Sequence, residues 1–494
     1  MSTTTAEDPA PAPQAAPAST SEAPAERPGR GWVARHRYAL GLWIAALTTR
    51  LLWVLWIHPP GKYVFSDMMM YVRRAIDLAD HGIHANRSLA WQAYGTHYVL
   101  SVPFKLFGTA PPHGEPYAAA AVLYGLFSAG AVILCYQLAR RILPERPGLA
   151  KAIGVVALLW YPNLSTSGHF LSEPPFLFFN LLATYSLVRA AQTGRGALWA
   201  GIAGALAFAV RPQSAIFWVL VAIVWLLNVR RLPKIRVLQI LGIGLPLAAM
   251  LAFSLWRFHL HTGTWGGIAE NANMNLTAGR CHNIVTQAFR TEAARARSER
   301  NANTRDGRRV SLPGYRILRA TFPDSHPFGL RPAMGGTTIR MVGYIGDAAL
   351  QRAVRRECYK RTGFWGQVQY SLVNLGLQWF VAKQWPTNER GSKVFLPITE
   401  TYRHLFQIFL LAPSLVGVGL SLWRIRRDPV RAILAMQLVS IMIVAAVFFG
   451  DPRLRTPYDP YAILLGVPVL VAWWTRFRAW RRSKRSSAPS ADAS

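Results

Sequence analysis

The sequence predicts an all-α polytopic membrane protein with about ten transmembrane helices and two substantial outer loops. Three observations carry that expectation. Hydrophobic residues make up 52 % of the 494 and charged ones only 16 %, too apolar a balance for a soluble chain of this length. Apolar runs recur at lengths suited to a bilayer, which takes ~20 residues at 1.5 Å rise each. Clusters of arginine and lysine follow every second run, the pattern expected when basic residues are retained on the cytoplasmic side.

Taken in order, residues 1–26 are rich in Ala, Pro, Ser, Thr and Glu with no apolar run, and 1–30 reads as a disordered cytoplasmic tail. No cleavable leader precedes the first span, 40–57, so that span is expected to act as an uncleaved insertion signal. The first outer loop, 58–115, holds two helical patterns. Met69, Val72, Ile76 and Ala79 fall at helical spacing within 67–80, with Gly82 as the stop; 96–107 is mostly apolar and kinked at Pro103. Both are too short to cross and predict helices lying in the interface. Spans follow at 117–139, 152–164, 170–187, 197–210, 215–227 and 237–256, which completes a membrane module over 38–257. The second loop, 258–401, is polar over 290–319. Near its end Phe364, Val368, Leu372, Leu375 and Trp379 form an apolar stripe, and Trp379, Lys383 and Trp385 supply interfacial anchors. Runs at 406–423, 432–449 and 461–474 make a C-terminal set within 402–475, and 476–494 is a basic cytoplasmic tail.

The net charge of +32 raises the possibility of a nucleic-acid partner, but its distribution argues against one. The basic clusters at 140–151, 189–195, 230–236, 424–431 and 476–484 mark topology, with both termini cytoplasmic. Arginine outnumbers lysine 47 to 8, the bias of a GC-rich bacterial genome, which points to the bacterial inner membrane. Cys135 lies in a span; Cys281 and Cys358 share the second outer loop, where disulfides persist, and form a candidate pair.

Each residue that suits chemistry also has a plainer reading. Asp67, a short connector beyond the first span, is either a helix-start carboxylate favoured by the dipole or a general base for an acceptor hydroxyl. Glu173, in His169-Phe170-Leu171-Ser172-Glu173-Pro174-Pro175-Phe176, is either an exposed helix start or a carboxylate with a partner or function near the membrane surface. Arg211, fixed between two short spans by Pro212, suits bidentate contact with a lipid phosphate or snorkels to headgroups. Arg50 snorkels or pairs with a loop carboxylate. Arg453 and Arg455, in the last outer loop, meet an anionic group or cap helix ends. Asn271, Asn273 and Asn275, before Gly279 and Arg280, either bind sugar hydroxyls or form turns. His259, His261 and His282 have no ligand set of metal-site spacing, so no metal site is expected. With no P-loop, no GxGxxG before a helix and no nucleophile-elbow serine, a nucleotide donor is not supported.

In their order, these motifs resemble the GT-C superfamily of polytopic glycosyltransferases, in the protein O-mannosyltransferase and lipid A aminoarabinose-transferase branch. Asp67 and Tyr71 open the first outer helix. Tyr94-Gly95-Thr96-His97-Tyr98 leads to Leu106-Phe107-Gly108, Ser172-Glu173-Pro174-Pro175-Phe176 begins a span, and Arg211-Pro212 follows a span with Gly196, Gly201 and Gly204. Gly279 ends the Asn-rich segment, and Arg453-x-Arg455-x-Pro457 precedes the last span. Departures are Asp67-Met68 where relatives carry two acids, Ala93-Tyr94-Gly95 at a Pro-rich position, and Leu454 where an aromatic is common.

The resemblance implies a polyprenyl-phosphate-linked sugar donor, with Asp67 as catalytic base and inversion at the anomeric carbon. Arg211, Lys383, Arg453 and Arg455 are expected at the donor phosphate, and Tyr71, His97, Glu173, Asn271 and Asn275 at the substrates. It implies no cofactor; a divalent-metal requirement and the acceptor, whether glycolipid, glycan or protein, stay open. A lipid or glycan transporter or flippase and a lipid-linked-oligosaccharide ligase are the alternatives. A transporter is expected to hold its charge near the midplane on broken helices.

Overall fold

The computed structural model describes residues 32–108, 117–232, 236–281, 346–381 and 392–486, with short segments between 285 and 342. It divides into two units, 1–41 and 42–494; of the first, only the opening of helix α1 (Trp32–Leu52) is described. All the other described elements belong to the second unit.

Every apolar run read from the sequence is helical, and the two loop helices are present. α1 is extended by a π turn to Ile57. Then come α2 (Ser66–His81), α3 (Gly95–Phe107), α4 (Ala118–Ile142), α5 (Pro147–Leu159), α6 (Tyr161–Ser167), α7 (Glu173–Thr193), α8 (Ala197–Val210), α9 (Ala215–Leu227), α10 (Val237–Thr262) and α11 (Asn271–Arg280). After a short sheet the chain continues with α12 (Ala348–Gly376), α13 (Ser392–Leu405), α14 (Ala412–Trp423), α15 (Pro429–Val447), α16 (Pro452–Arg455) and α17 (Asp459–Ser486). Among the described residues, 6 helices are long and apolar enough to cross a membrane, and the chain is a polytopic membrane protein. The sequence count of about ten is larger because it includes α5, α7, α8 and α9. Of these, α5, α8 and α9 hold only 13, 14 and 13 residues, and α7 is diluted by Asn180, Thr184 and Ser186.

The helical fold carries an unanticipated addition in the second loop. Strands β1 (Val285–Phe289), β2 (Arg308–Ser311), β3 (Arg319–Phe322) and β4 (Thr338–Val342) form a sheet of order β1-β4-β3-β2, with β1 parallel to β4 and the other pairs antiparallel. In β4 Thr338-Ile339-Arg340-Met341 alternates polar and apolar residues, too short a pattern within a polar stretch to announce a sheet.

Small residues let the helices approach closely, which is how membrane helices gain packing without a hydrophobic difference from lipid. A Cβ on Gly201 of α8 would come within 2.5 Å of the Gly242 carbonyl of α10. Polar side chains then fix register. Asn180 of α7 and Gln437 of α15 exchange amide hydrogen bonds at 3.0 and 3.1 Å. Gln437 also donates to Thr184 at 2.9 Å, and the Tyr461 hydroxyl of α17 meets Thr184 at 2.9 Å. All four are buried. The middle of α7 is thus held to α15 and to the start of α17, with Asn180 two turns along α7 from Glu173.

α2 buries Met68, Tyr71, Val72, Ala75 and Ala79 against Leu100 and Phe104 of α3, Ala120 and Tyr124 of α4, and Phe170. This face is rotated from the expected one: Met68 and Ala75 are fully buried, whereas Met69 and Ile76 are only partly so. The rotation follows from Tyr71, whose ring is drawn inward along with the aliphatic residues.

Candidate active site

Asp67 is the second residue of α2. The chain enters that helix through Ser66 at φ 47°, a left-handed conformation that costs a non-glycine residue about 1–3 kcal/mol and persists where its surroundings enforce it. Met68 and Tyr71 anchor the turn from inside, so the Asp67 side chain stays 44 % exposed. Its Oδ2 accepts a hydrogen bond from Arg453 Nη1 at 3.0 Å, and Gln92 Nε2 lies 3.5 Å from Oδ1. Gln92 is in turn held by Arg74, which donates to its Oε1 at 2.5 Å.

Arg453 sits in α16, whose N-cap Asp451 accepts from the Arg453 backbone N–H at 2.7 Å. Burial raises the Asp451 carboxyl above its usual range, against the pull of that hydrogen bond and of the Arg453 charge. Arg453 Nε donates to Glu173 Oε1 at 2.5 Å. Arg211 Nη2 reaches the same oxygen at 2.7 Å, while its Nε donates to Ser172 Oγ at 2.9 Å. Four charges therefore run in line: Arg211, Glu173, Arg453, Asp67. Glu173 is 1 % exposed and bridges both guanidiniums. Only Asp67, at the end of the line, is open to water to any large extent.

The local sequence explains these placements. Pro174-Pro175 occupy the first turn of α7, so the helix starts at Glu173, where a carboxylate is favoured by the dipole. Pro212 forces Arg211 into an extended conformation (φ −142°, ψ 96°), so its side chain leaves from a break between α8 and α9 rather than from a helix face. Gly95 seats α3 against the Ala209–Val210 backbone beside Arg211, where any Cβ would overlap main-chain atoms. An apolar groove of about 480 Å³ opens alongside, walled by Tyr94 just before α3, Tyr98 of α3, Phe179 of α7, Val210 of α8, and Met250 and Phe253 of α10.

Of the residues singled out from sequence, Asp67, Tyr71, Glu173, Arg211 and Arg453 come together. Tyr71 is buried one turn after Asp67; burial first, and the Asp67 carboxylate next, push its phenol up to about 12, so it keeps its proton. Glu173 is neither an exposed helix start nor placed to touch a substrate: it is buried beneath the two arginines it holds.

Others are corrected. Arg455 is not available to a donor phosphate: it pairs with buried Asp459 at 3.0 Å and lies 3.7 Å over the Phe406 ring. Trp160 Nε1 secures Asp459 from the other side at 2.8 Å. His97 is fully buried in α3, away from the four charges. Burial, then the charges of Arg257 and Arg74, hold it neutral. Asn271 and Asn275 stand on helix α11, not in a turn. Lys383 and His282 lie outside the described residues. The candidate pair Cys281 and Cys358, by contrast, is disulfide-bonded as expected, the Cα atoms 5.6 Å apart. Arg50 is fully buried, donating to Thr49 Oγ1 at 2.9 Å, so it neither snorkels nor meets a loop carboxylate among the described residues. The sequence reading missed Gln92 and the Ser172 hydroxyl; Ser172 lay within the stretch already singled out around Glu173, whereas nothing in sequence links Gln92 to Asp67.

Residues 93–256 match the family model described as dolichyl-phosphate-mannose-protein mannosyltransferase. Among curated proteins none matches significantly. Solved structures similar to the chain include the oligosaccharyltransferase of Archaeoglobus fulgidus in its apo form, at 12 % identity and TM-score 0.46, covering 94 % of this chain and 54 % of that one. The archaeal oligosaccharyltransferase AglB from the same organism, in complex with an inhibitory peptide and a dolichol-phosphate, matches at 13 % identity and TM-score 0.47, with 94 % and 53 % covered. This chain spans about half the length of those structures. The resemblance carried by the sequence motifs, to the GT-C superfamily of polytopic membrane glycosyltransferases, is shown by the family match over residues 93–256.

Proposed function

We propose that this protein moves a sugar from a polyprenyl-phosphate-linked donor to an acceptor at the extracytoplasmic face of a bacterial inner membrane. The observation that carries the reading is the line of four charges, in which two guanidiniums lead to one water-exposed carboxylate. In the proposed step the acceptor hydroxyl gives its proton to Asp67 and its oxygen bonds to the anomeric carbon with inversion. The bond from that carbon to the lipid-phosphate oxygen breaks, and negative charge collects on the phosphate. Arg211 and Arg453 face that charge. Arg211 Nη1 is buried with no partner among the described residues, a donor already desolvated for a phosphate oxygen. The apolar groove beside Arg211 suits an isoprenoid chain approaching through the bilayer, and the family match, whose printed name includes a polyprenyl-type phosphate sugar, supports the same donor class.

Mass spectrometry of cell-envelope glycans and lipids from a deletion strain tests the reading. An envelope species is expected to lose one hexose or pentose, to regain it with the wild-type gene and not with Asp67→Asn. An unchanged envelope profile, or full rescue by Asp67→Asn, contradicts it.

A further inference from the structure

Behind Arg453 the chain is held by contacts the charge line does not use. α15 ends at Val447 and α16 begins at Pro452, so a short connector delivers Arg453 to Asp67 and Glu173. One pair of helices takes up the carbonyls around that connector. Asn374 of α12 donates its Nδ2 to Phe448 O at 3.3 Å and to Gly279 O of α11 at 3.2 Å. A turn earlier, Ser371 donates to Ala446 O at 2.8 Å, and Arg280 of α11 donates to that carbonyl and to Ser371 Oγ. The backbones touch as well: a Cβ on Gly279 would overlap Phe448 O, and one on Gly450 would overlap Asn374 O. α11 and α12 are themselves joined by the Cys281–Cys358 disulfide, and by Arg355, which donates to Asn273 O and Thr277 Oγ1, both at 3.0 Å.

We infer that Asn374 is a positioning residue for Arg453: braced by the disulfide-bonded pair α11 and α12, it fixes the 448–451 connector and thereby sets the Arg453 guanidinium between Asp67 and Glu173. A four-residue helix has no stability of its own with which to hold that position. The Asn374 amide is 7 % exposed and bonds carbonyls of two separate elements, so no water substitutes for it without shifting one of them. The role of Arg453 toward a lipid phosphate rests on the proposed function; the brace does not.

Two measurements on the full-length protein in detergent separate the two. Hydrogen exchange reads the brace directly. Asn374→Ala, Asn374→Asp and the Cys281→Ser/Cys358→Ser pair are each expected to speed exchange over 446–455 while leaving α2 and α4 unchanged. Reducing the disulfide of the wild-type protein gives the same reading if the variants do not fold. Unaltered exchange at 446–455, or acceleration everywhere, overturns the inference. Binding of undecaprenyl phosphate reads the consequence. Asn374→Ala is expected to weaken it by about tenfold, the scale of one lost hydrogen bond, and to add nothing in an Arg453→Ala background. Equal losses in both backgrounds, or wild-type affinity in Asn374→Ala when Arg453→Ala is impaired, overturn the positioning role. If Arg453→Ala itself binds as wild type, the lipid-phosphate reading of Arg453 fails and exchange alone decides the brace.

Discussion

At the scale of single residues, Glu173 gives the clearest lesson. The sequence placed it at a span's start and left open whether it was exposed; its partners Arg211 and Arg453 were invisible because both come from other elements, Arg453 from 280 positions away, and Asp67 is tied to Arg453 across 386. Spacing arguments reach a turn or two, whereas this line is assembled only by packing. Removing one member of a buried pair leaves the other charge uncompensated, typically at 3–5 kcal/mol. Glu173→Gln is therefore expected to lower thermal stability markedly as well as activity, while Glu173→Gln combined with Arg211→Gln should recover part of the stability; a stable single variant in a melting experiment would show the line is not coupled. Arg211→Lys keeps the charge but loses the planar fork, so it should bind undecaprenyl phosphate far more weakly than wild type. Wild-type affinity in Arg211→Ala would reduce this residue to a packing element.

At the scale of elements, α2 and α3 were legible because amphipathic spacing and the Gly82 stop are local signals, and Gly82 does end α2 at φ 68°. The inward face of α2 was not, because the inward turn of Tyr71 is a choice made by α4 and Phe170 rather than by α2. The Asn180–Gln437–Thr184 network was likewise unreadable, since one amide in an apolar run looks like an isolated blemish. Gln437→Leu should loosen the α7–α15–α17 register by about 0.6–2 kcal/mol, measured as unfolding in detergent; no change would mean those amides are bystanders.

The segments that follow α1 and α6 meet through a histidine pair with its own pH signature. The His58 and His169 rings lie 4.6 Å apart, tilted 42° to one another, and burial, with His58 adding to it, lowers His169 to about 3. A histidine depressed in the folded state favours unfolding on protonation, so its contribution is intact above ~6.5 and lost as pH falls from there toward 3. Melting temperature should drop over that window, and His169→Phe should flatten the drop.

At the scale of the whole molecule, the sequence carried the class and the succession of helices, because hydropathy and basic clusters are properties of long segments. It did not carry the sheet within 285–342 or the brace of α11 and α12 on the last loop, which depend on contacts between distant segments. The sidedness read from basic clusters predicts that Arg305→Cys reacts with an impermeant thiol reagent in intact cells; labelling only after lysis would put the Asp67 end of the protein in the cytoplasm. The account as a whole depends on Asp67 acting as a base, and the most direct test is the rate of sugar transfer from the lipid-phosphate donor by purified protein. Asp67→Asn keeps size and most hydrogen bonding but cannot take the acceptor's proton, so transfer should fall by ~10²–10⁴-fold with undecaprenyl phosphate binding little changed, while Asp77→Asn at the far end of α2 stays near wild type. Transfer by Asp67→Asn at the wild-type rate would contradict the account.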